Sequence, residues 1–245
     1  MAGRVISKQV DNDVLNNPPP ARISGFRAKD WIKISQSPAQ IVNTQLGEKV
    51  EMECEVLGSP APEIQWFRGN QLVQQTERSV INNELRDSFH DRAGLAKIKS
   101  RLIIDCVTPE HEGFYTCVAR AGVKKIKSQP SLLLIEGGNS DTCKEPQNQR
   151  LQAPRIISWN PTAMENMGVD VLLPCAAVGN PTPEVYWLDQ DNNVVNNFRY
   201  RVLNNGDLAI YRLAWPDMGQ YRCVAENSLG RDSVTTFIYP VLNEK

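Results

Sequence analysis

Six cysteines are the residues in this chain best suited to chemistry, and their spacing predicts structural disulfides rather than a catalytic thiol. Trp66 lies between Cys54 and Cys117, and Trp187 lies between Cys175 and Cys223. In both sets the tryptophan follows the first cysteine by twelve residues and a tyrosine precedes the second by two. The repetition therefore pairs Cys54 with Cys117 and Cys175 with Cys223. Each bridge is worth about 4 kcal/mol in the chain-entropy account of disulfide stabilisation.

Cys106 and Cys143 remain outside the repeat. Cys106 is expected to point away from the first core, and Cys143 follows Ile135 by eight residues, which span at most ~26 Å. A third bridge between them is predicted, and two free thiols are the alternative. Three structural disulfides require an oxidising compartment, so we expect a secreted, extracellular protein.

The two histidines form no catalytic or metal-binding constellation in the sequence. His90 lies in a long polar segment, and His111 occupies the position at which the second repeat has Asp217. We expect Asp217 to pair with Arg199 or Arg201, and His111 to be a structural substitute for it. The sequence contains no glycine-rich phosphate loop, no Gly-x-Ser-x-Gly motif and no zinc-type cysteine or histidine spacing. It predicts neither an enzyme nor a cofactor.

The charge balance excludes partners that are bound mainly through phosphate groups. The 245 residues carry 27 Lys and Arg against 28 Asp and Glu, for a formal net charge of −1. Apolar runs reach four residues, far short of the ~20 that span a bilayer. We expect no nucleic-acid partner and no membrane insertion. The basic stretch at 124–127 is expected to be a solvated face, with glycosaminoglycan contact as the alternative.

Apolar and polar residues alternate around both cysteine sets, which is typical of half-buried strands. Proline-rich turns follow the first cysteine of each set, and Asn205-Gly206 predicts a hairpin turn. A Cys–Trp–Tyr-x-Cys pattern is the mark of an immunoglobulin sandwich, whose disulfide joins facing sheets beneath the tryptophan. The sequence therefore predicts an all-β fold of two tandem immunoglobulin-like sandwiches of the intermediate set. The predicted segments are an irregular arm (1–29), domain 1 (30–136), a linker (137–153), domain 2 (154–240) and a tail (241–245).

Apolar side chains that the alternation directs away from the cores are candidates for a binding surface. Phe67, Phe114 and Val118 are predicted on the outer face of the first domain, and Tyr186 and Leu188 on that of the second.

The run at 131–135 is apolar on both faces of its strand, so one face must be covered by something other than the core of its own domain. Leu133 and Ile135 join the candidate surface for this reason. The alternatives are that domain 2, the linker or the arm covers this strand, or that a partner protein does. Trp159 and Trp215 also fall outside the core alternation, and we expect them to pack between the domains.

Three blocks in the second half of the chain carry a family resemblance. They are 217–223 (DMGQYRC), 234–239 (VTTFIY) and 240–244 (PVLNE), supported by 30–33 (DWIK) and 154–157 (PRII). With these blocks the chain resembles the insect secreted insulin-binding proteins that have two immunoglobulin domains.

The resemblance implies a soluble antagonist that sequesters insulin-like peptides or insulin-like growth factors and so lowers insulin-receptor signalling. The seven outward apolar residues that the alternation indicates are the candidates for the hormone contact. The alternative is a cell-adhesion or guidance module of the same fold, because immunoglobulin sandwiches serve many functions.

Overall fold

The computed structural model describes residues 30–75, 94–138, 143 and 151–242, and it consists almost entirely of β-strands. The predicted arm at 1–29, His90 and most of the predicted linker lie outside these residues. Within the described ranges, no helix has the length and apolar character needed to cross a membrane. The two sandwiches are called domain 1, which contains strands β1–β9, and domain 2, which contains strands β10–β17.

Nine strands build domain 1. They are β1 (Trp31–Gln36), β2 (Ile41–Leu46), β3 (Val50–Ser59), β4 (Glu63–Arg68), β5 (Gln71–Gln75), β6 (Leu95–Ile104), β7 (Gly113–Ala121), β8 (Lys124–Lys127) and β9 (Ser131–Gly138). Eight strands build domain 2. They are β10 (Gln152–Asn166), β11 (Val171–Leu173), β12 (Cys175–Asn180), β13 (Glu184–Leu188), β14 (Tyr200–Val202), β15 (Leu208–Ile210), β16 (Gly219–Asn227) and β17 (Gly230–Val241).

The strands form three sheets, one of which is shared by the two domains. A six-stranded sheet in domain 1 has the order β2-β9-β7-β4-β5, with β8 paired to β7. A three-stranded sheet in domain 2 has the order β11-β15-β14. The shared eight-stranded sheet has the order β1-β3-β6-β10-β17-β16-β13, with β12 paired to β10. These findings establish the predicted all-β fold of tandem immunoglobulin domains.

Each domain packs a disulfide and a tryptophan at the centre of its core. Cys54 and Cys117 are bonded between β3 and β7, and Cys175 and Cys223 between β12 and β16. The fully buried Trp66 donates its indole N–H to the Ser100 hydroxyl at 3.0 Å.

In domain 2 the buried Trp187 donates its indole N–H to the Gly206 carbonyl at 2.8 Å. Gly206 has a φ of +92° in the hairpin turn between β14 and β15, and a Cβ there would lie 2.7 Å from the Cys175 carbonyl oxygen. Only glycine meets both conditions.

The two domains are joined by backbone hydrogen bonds between β6 and β10. These strands run antiparallel, with Ser100 opposite Ser158 and Ala96 opposite Ala163. The register shifts between Trp159 and Thr162, at the point where β10 leaves β12 and begins to pair with β17. A single strand of domain 2 therefore pairs in turn with β12 and β17 of its own domain and with β6 of domain 1, and this joins the two domains in one sheet.

Trp159 marks this junction. Its side chain is 6% exposed and belongs to the core cluster of domain 2. From the domain 1 side, the Arg101 guanidinium lies 4.5 Å from the centroid of the indole ring and the Lys99 ammonium lies 5.7 Å from it. Trp159 thus packs between the domains as expected, whereas Trp215 makes its ring contact with Tyr239 inside domain 2.

Two further contacts tie domain 1 to the chain that leads into domain 2. Asp105 accepts hydrogen bonds from Arg155 and from the Gln152 side chain. Cys106 is bonded to Cys143, and the described residues contain no free cysteine.

Candidate binding surfaces

The outer face of the six-stranded sheet carries several exposed or half-buried apolar side chains. Phe114 is 56% exposed on β7, and Phe67 is half-buried on β4. Val118 is directed away from the core, as predicted, because Cys117 and Ala119 on either side of it belong to the core cluster. However, Val118 itself is only 5% exposed, so neighbouring side chains cover it.

Phe114 belongs to a row of apolar residues that crosses three strands. The row consists of Ile41 on β2, Leu132 on β9 and Phe114 on β7, which are consecutive partners in the sheet register. Directly paired residues share one face of a sheet, so the three side chains lie side by side. Ile41 is 59% exposed and Leu132 is half-buried. We call these three residues the apolar row.

Ile41 and Leu132 were missed by sequence reasoning. Ile41 lies beside Leu132 because β2 pairs in parallel with β9. No local pattern in the sequence predicts that pairing. Leu132 lies in the run at 131–135, whose apolar residues give no signal of which alternate positions face inward.

The prediction that Leu133 lies on a surface is wrong. Leu133 is 0% exposed and belongs to the core cluster of domain 1, and Ile135 packs against the same cluster. Their even spacing places both on the inner face, and the alternate residues Leu132 and Leu134 are half-buried on the outer face. The predicted pair was therefore displaced by one residue.

Tyr186 and Leu188 lie on β13, at the edge of the shared sheet. Both are half-buried. The Tyr186 hydroxyl donates a hydrogen bond to the Glu226 carboxylate at 2.8 Å, which raises the pKa of Tyr186. Leu188 forms an isolated bridge with Val194, which is 64% exposed. The candidates of domain 1 and domain 2 thus lie on different sheets and do not form a single continuous strand surface.

The shared sheet has a charged outer face in its domain 1 half. Glu53 is opposite Arg101 and Glu55 is opposite Lys99 in the register of β3 and β6. Salt bridges connect Lys99 to Glu53 at 2.8 Å and Lys97 to Glu55 at 3.0 Å. Every cation of this group has an acidic partner, so the charges of this face neutralise one another and the face is not an anion-binding site.

In each domain a short corner leads into the strand that carries the second cysteine, and a side chain in that corner accepts a backbone N–H. In domain 2, Asp217 accepts the Ala214 backbone N–H at 2.8 Å and also binds Arg199 and the Tyr200 hydroxyl. Of the two predicted partners of Asp217, the structure selects Arg199. Burial, together with the hydrogen bond to Asp217, raises the pKa of Tyr200.

In domain 1, His111 takes the place of that aspartate. Its Nδ1 accepts the Thr108 backbone N–H at 3.0 Å and lies 2.8 Å from the Thr108 hydroxyl oxygen. A backbone amide can only donate, so Nδ1 is unprotonated and the neutral ring carries its proton on Nε2. Burial and the nearby Arg68 guanidinium lower the pKa of His111. His111 is therefore a structural cap, as the sequence indicated.

The described residues contain no group of three His, Cys, Asp or Glu side chains placed to hold a metal ion. The described surface carries the apolar row, the paired charges of β3 and β6, and exposed lysines on the β7–β8 hairpin at the far end of the face that carries the apolar row.

Comparison with known proteins gives consistent results. The immunoglobulin domain family matches residues 33–120, and the immunoglobulin I-set domain family matches residues 154–238. The chain is 35% identical over 240 residues to the neural/ectodermal development factor IMP-L2 of Drosophila melanogaster, covering 98% of this chain and 87% of that protein. It is 30% identical over 194 residues to the zwei Ig domain protein zig-4 of Caenorhabditis elegans, covering 79% of this chain and 74% of that protein. The crystal structure of IMP-L2 matches with a TM-score of 0.69 and 34% identity, covering 88% of this chain and 97% of that one.

Proposed function

Because this chain belongs to the family of two-domain immunoglobulin proteins that includes IMP-L2, we propose that it is a secreted protein that sequesters insulin-like peptide hormones. Hormone held by the protein cannot reach its receptor, so the protein antagonises insulin-receptor signalling stoichiometrically. The observation that carries this proposal is a family relationship extending over 98% of the chain. The sequence resemblance to insect insulin-binding proteins supplies the hormone class.

The apolar row supplies the physical basis for hormone capture. Insulin-like hormones present an exposed apolar surface to their receptor, and an exposed apolar surface on a binding protein can cover it. Aromatic and aliphatic side chains of this kind supply most of the binding energy in protein interfaces. Phe114 is more than half exposed. Burial of this exposed area against a hormone would contribute on the order of 1–2 kcal/mol to the binding free energy.

Phe67 continues the same face from the apolar row, whereas Val118 is covered by its neighbours and adds no accessible area. Phe67 is opposite Leu72 on β5, which is 44% exposed and widens the apolar area. We therefore assign the hormone contact to this face of domain 1. Tyr186 and Leu188 are a second, separate candidate set on domain 2.

Calorimetric titration of the purified chain with an insulin-like peptide tests the assignment. We expect saturable one-to-one binding, which Phe114→Glu weakens on the order of 30-fold or more, as for an interface hot spot. Phe198→Glu is the matched control, because Phe198 is 91% exposed on domain 2 and lies in neither candidate set. It should leave the affinity unchanged.

Leu188→Glu separates the two candidate faces. If Leu188→Glu weakens binding and Phe114→Glu does not, the hormone contacts the domain 2 edge of the shared sheet rather than the six-stranded sheet of domain 1. If the unmodified chain gives no binding heat and does not reduce receptor phosphorylation in cells, the hormone proposal is wrong. Aggregation of protein-coated beads would then favour the cell-adhesion alternative.

A further inference from the structure

The hairpin of β7 and β8 carries a cluster of exposed cations at the end of the domain 1 outer face opposite Phe114. The cluster consists of Arg120, Lys124, Lys125 and Lys127, all exposed, and we call it the basic hairpin. Arg120 is directly opposite Lys125, and Lys127 is opposite Val118. Since Val118 points away from the core, Arg120, Lys125 and Lys127 share the outer face of the sheet.

The basic hairpin pairs like charges across its two strands, whereas β3 and β6 pair opposite charges. Between β3 and β6, Glu53 faces Arg101 across the strands, whereas between β7 and β8 Arg120 faces Lys125. Like charges directly opposite each other destabilise a strand pair. A chain with balanced charges overall thus maintains a local repulsion that an anionic partner would relieve.

The described acidic groups near the basic hairpin are too few to neutralise it. None of its three lysines forms an ion pair with a described residue. Glu63 is opposite Arg120 on β4, and the Asp30 carboxylate accepts the Val123 backbone N–H at 3.1 Å. Among the described residues, four cations therefore face two carboxylates, and this part of the described surface is net positive.

We propose that the basic hairpin binds sulfated polysaccharide chains of the extracellular matrix. Same-face residues recur about every 7 Å along a strand, a spacing suited to an extended polymer with repeated anionic groups rather than to one small anion. Single-stranded nucleic acids require aromatic stacking groups, and Val118 and Gln65 occupy that part of the face instead. Three disulfides are typical of proteins outside the cytosol, where the anionic lipids of the inner leaflet are not accessible.

The basic hairpin and the apolar row are far enough apart on the sheet for the protein to bind polysaccharide and hormone at the same time. Phe114 and Arg120 are six residues apart on β7, or about 20 Å. The basic hairpin would retain the protein on matrix while the apolar row remains accessible. Polysaccharide binding does not rest on the proposed hormone function, because the two use different side chains.

Heparin is the probe, as a sulfated polysaccharide. The unmodified chain should be retained on immobilised heparin at about 150 mM salt and released as salt rises. The triple variant Arg120→Gln, Lys125→Gln, Lys127→Gln should bind at least tenfold more weakly, and the dependence of log Kd on log salt should lose on the order of one unit of slope per cation removed. A matched variant, Lys49→Gln, Arg201→Gln, Arg231→Gln, removes three exposed cations elsewhere and should elute with the unmodified chain.

The circular dichroism spectrum and the hormone affinity of the triple variant show whether its fold and its other binding surface are intact. Both should be unchanged in the triple variant, because the three substituted side chains are exposed and outside the apolar row. Equal elution of the two triple variants would overturn the proposal, as would failure of the unmodified chain to bind heparin. Stronger binding to phosphatidylserine vesicles than to heparin would also overturn it, in favour of a membrane surface. Heparin retention by an unmodified chain that binds no insulin-like peptide would refute the proposed function alone and leave the polysaccharide proposal standing.

Discussion

His111 should make the stability of domain 1 depend on pH in a way that domain 2 does not share. The neutral imidazole accepts the Thr108 N–H, and protonation of Nδ1 would leave that partly buried amide facing another donor. The pKa of His111 is lowered in the folded protein, so the unfolded chain takes up the proton first as the pH falls. This contribution to stability is therefore fully present above the ordinary pKa near 6.5 and is lost as the pH falls through the lower folded value.

The size of the effect follows from the contacts at Nδ1. The Thr108 hydroxyl can rotate and offer its oxygen to a protonated ring, so only the backbone amide loses its acceptor. Loss of one partner of a partly buried hydrogen bond costs about 1 kcal/mol, which raises the unfolding equilibrium constant roughly fivefold. Domain 2 serves as an internal control, because the Asp217 carboxylate accepts the corresponding N–H of Ala214 at 2.8 Å.

Hydrogen exchange read by mass spectrometry at about pH 7.5 and about pH 5 measures this effect separately in each domain. Segment 107–117 should lose protection at the lower pH, and segment 213–223 should retain it after correction for intrinsic exchange. His111→Asp should abolish the difference, because an aspartate remains ionised at pH 5 and can accept the Thr108 N–H as Asp217 does for Ala214. An equal loss in the unmodified chain and in His111→Asp, or no loss in either, would refute the assigned role of His111.

Three further predictions follow from the packing of the two domains. Asp217→Ala leaves Arg199 without its carboxylate partner and should lower the unfolding free energy of domain 2 by about 3 kcal/mol, measured by urea denaturation. Cys106→Ser with Cys143→Ser opens a bridge of sequence separation 37 and should cost at most about 4 kcal/mol, with a lower thermal midpoint for domain 1 as the readout. Leu133→Ala should destabilise domain 1 by about 2–5 kcal/mol while the folded fraction retains full hormone affinity; a selective loss of affinity would restore Leu133 to the binding surface.

The fold of each domain could be predicted from local spacing in the sequence. Cysteine, tryptophan and tyrosine spacings are set by strand geometry within one sandwich, so they can be read without knowing how the sandwiches meet. The hydroxyl of Tyr115 donates to the His111 carbonyl at 2.7 Å, and that of Tyr221 donates to the Asp217 carbonyl at 3.1 Å. Local alternation also placed Phe67 and Phe114 on the outer face correctly, because each lies beside a fully buried anchor residue.

The way in which the domains meet, and the accessibility of individual side chains, could not be predicted without the tertiary structure. Antiparallel pairing of β6 with β10 joins residues far apart in sequence, and no local pattern encodes that register. In a run that is apolar on both faces, a shift of one residue exchanges the inner and outer sets, which is why Leu133 is buried and Leu132 joins the apolar row. Ile41 joins the apolar row because β2 pairs in parallel with β9. Tyr186 lies on a different sheet from Phe114 because β13 belongs to the shared sheet. Strand partners are chosen by long-range hydrogen bonds and packing, and these depend on the whole chain rather than on any segment of it.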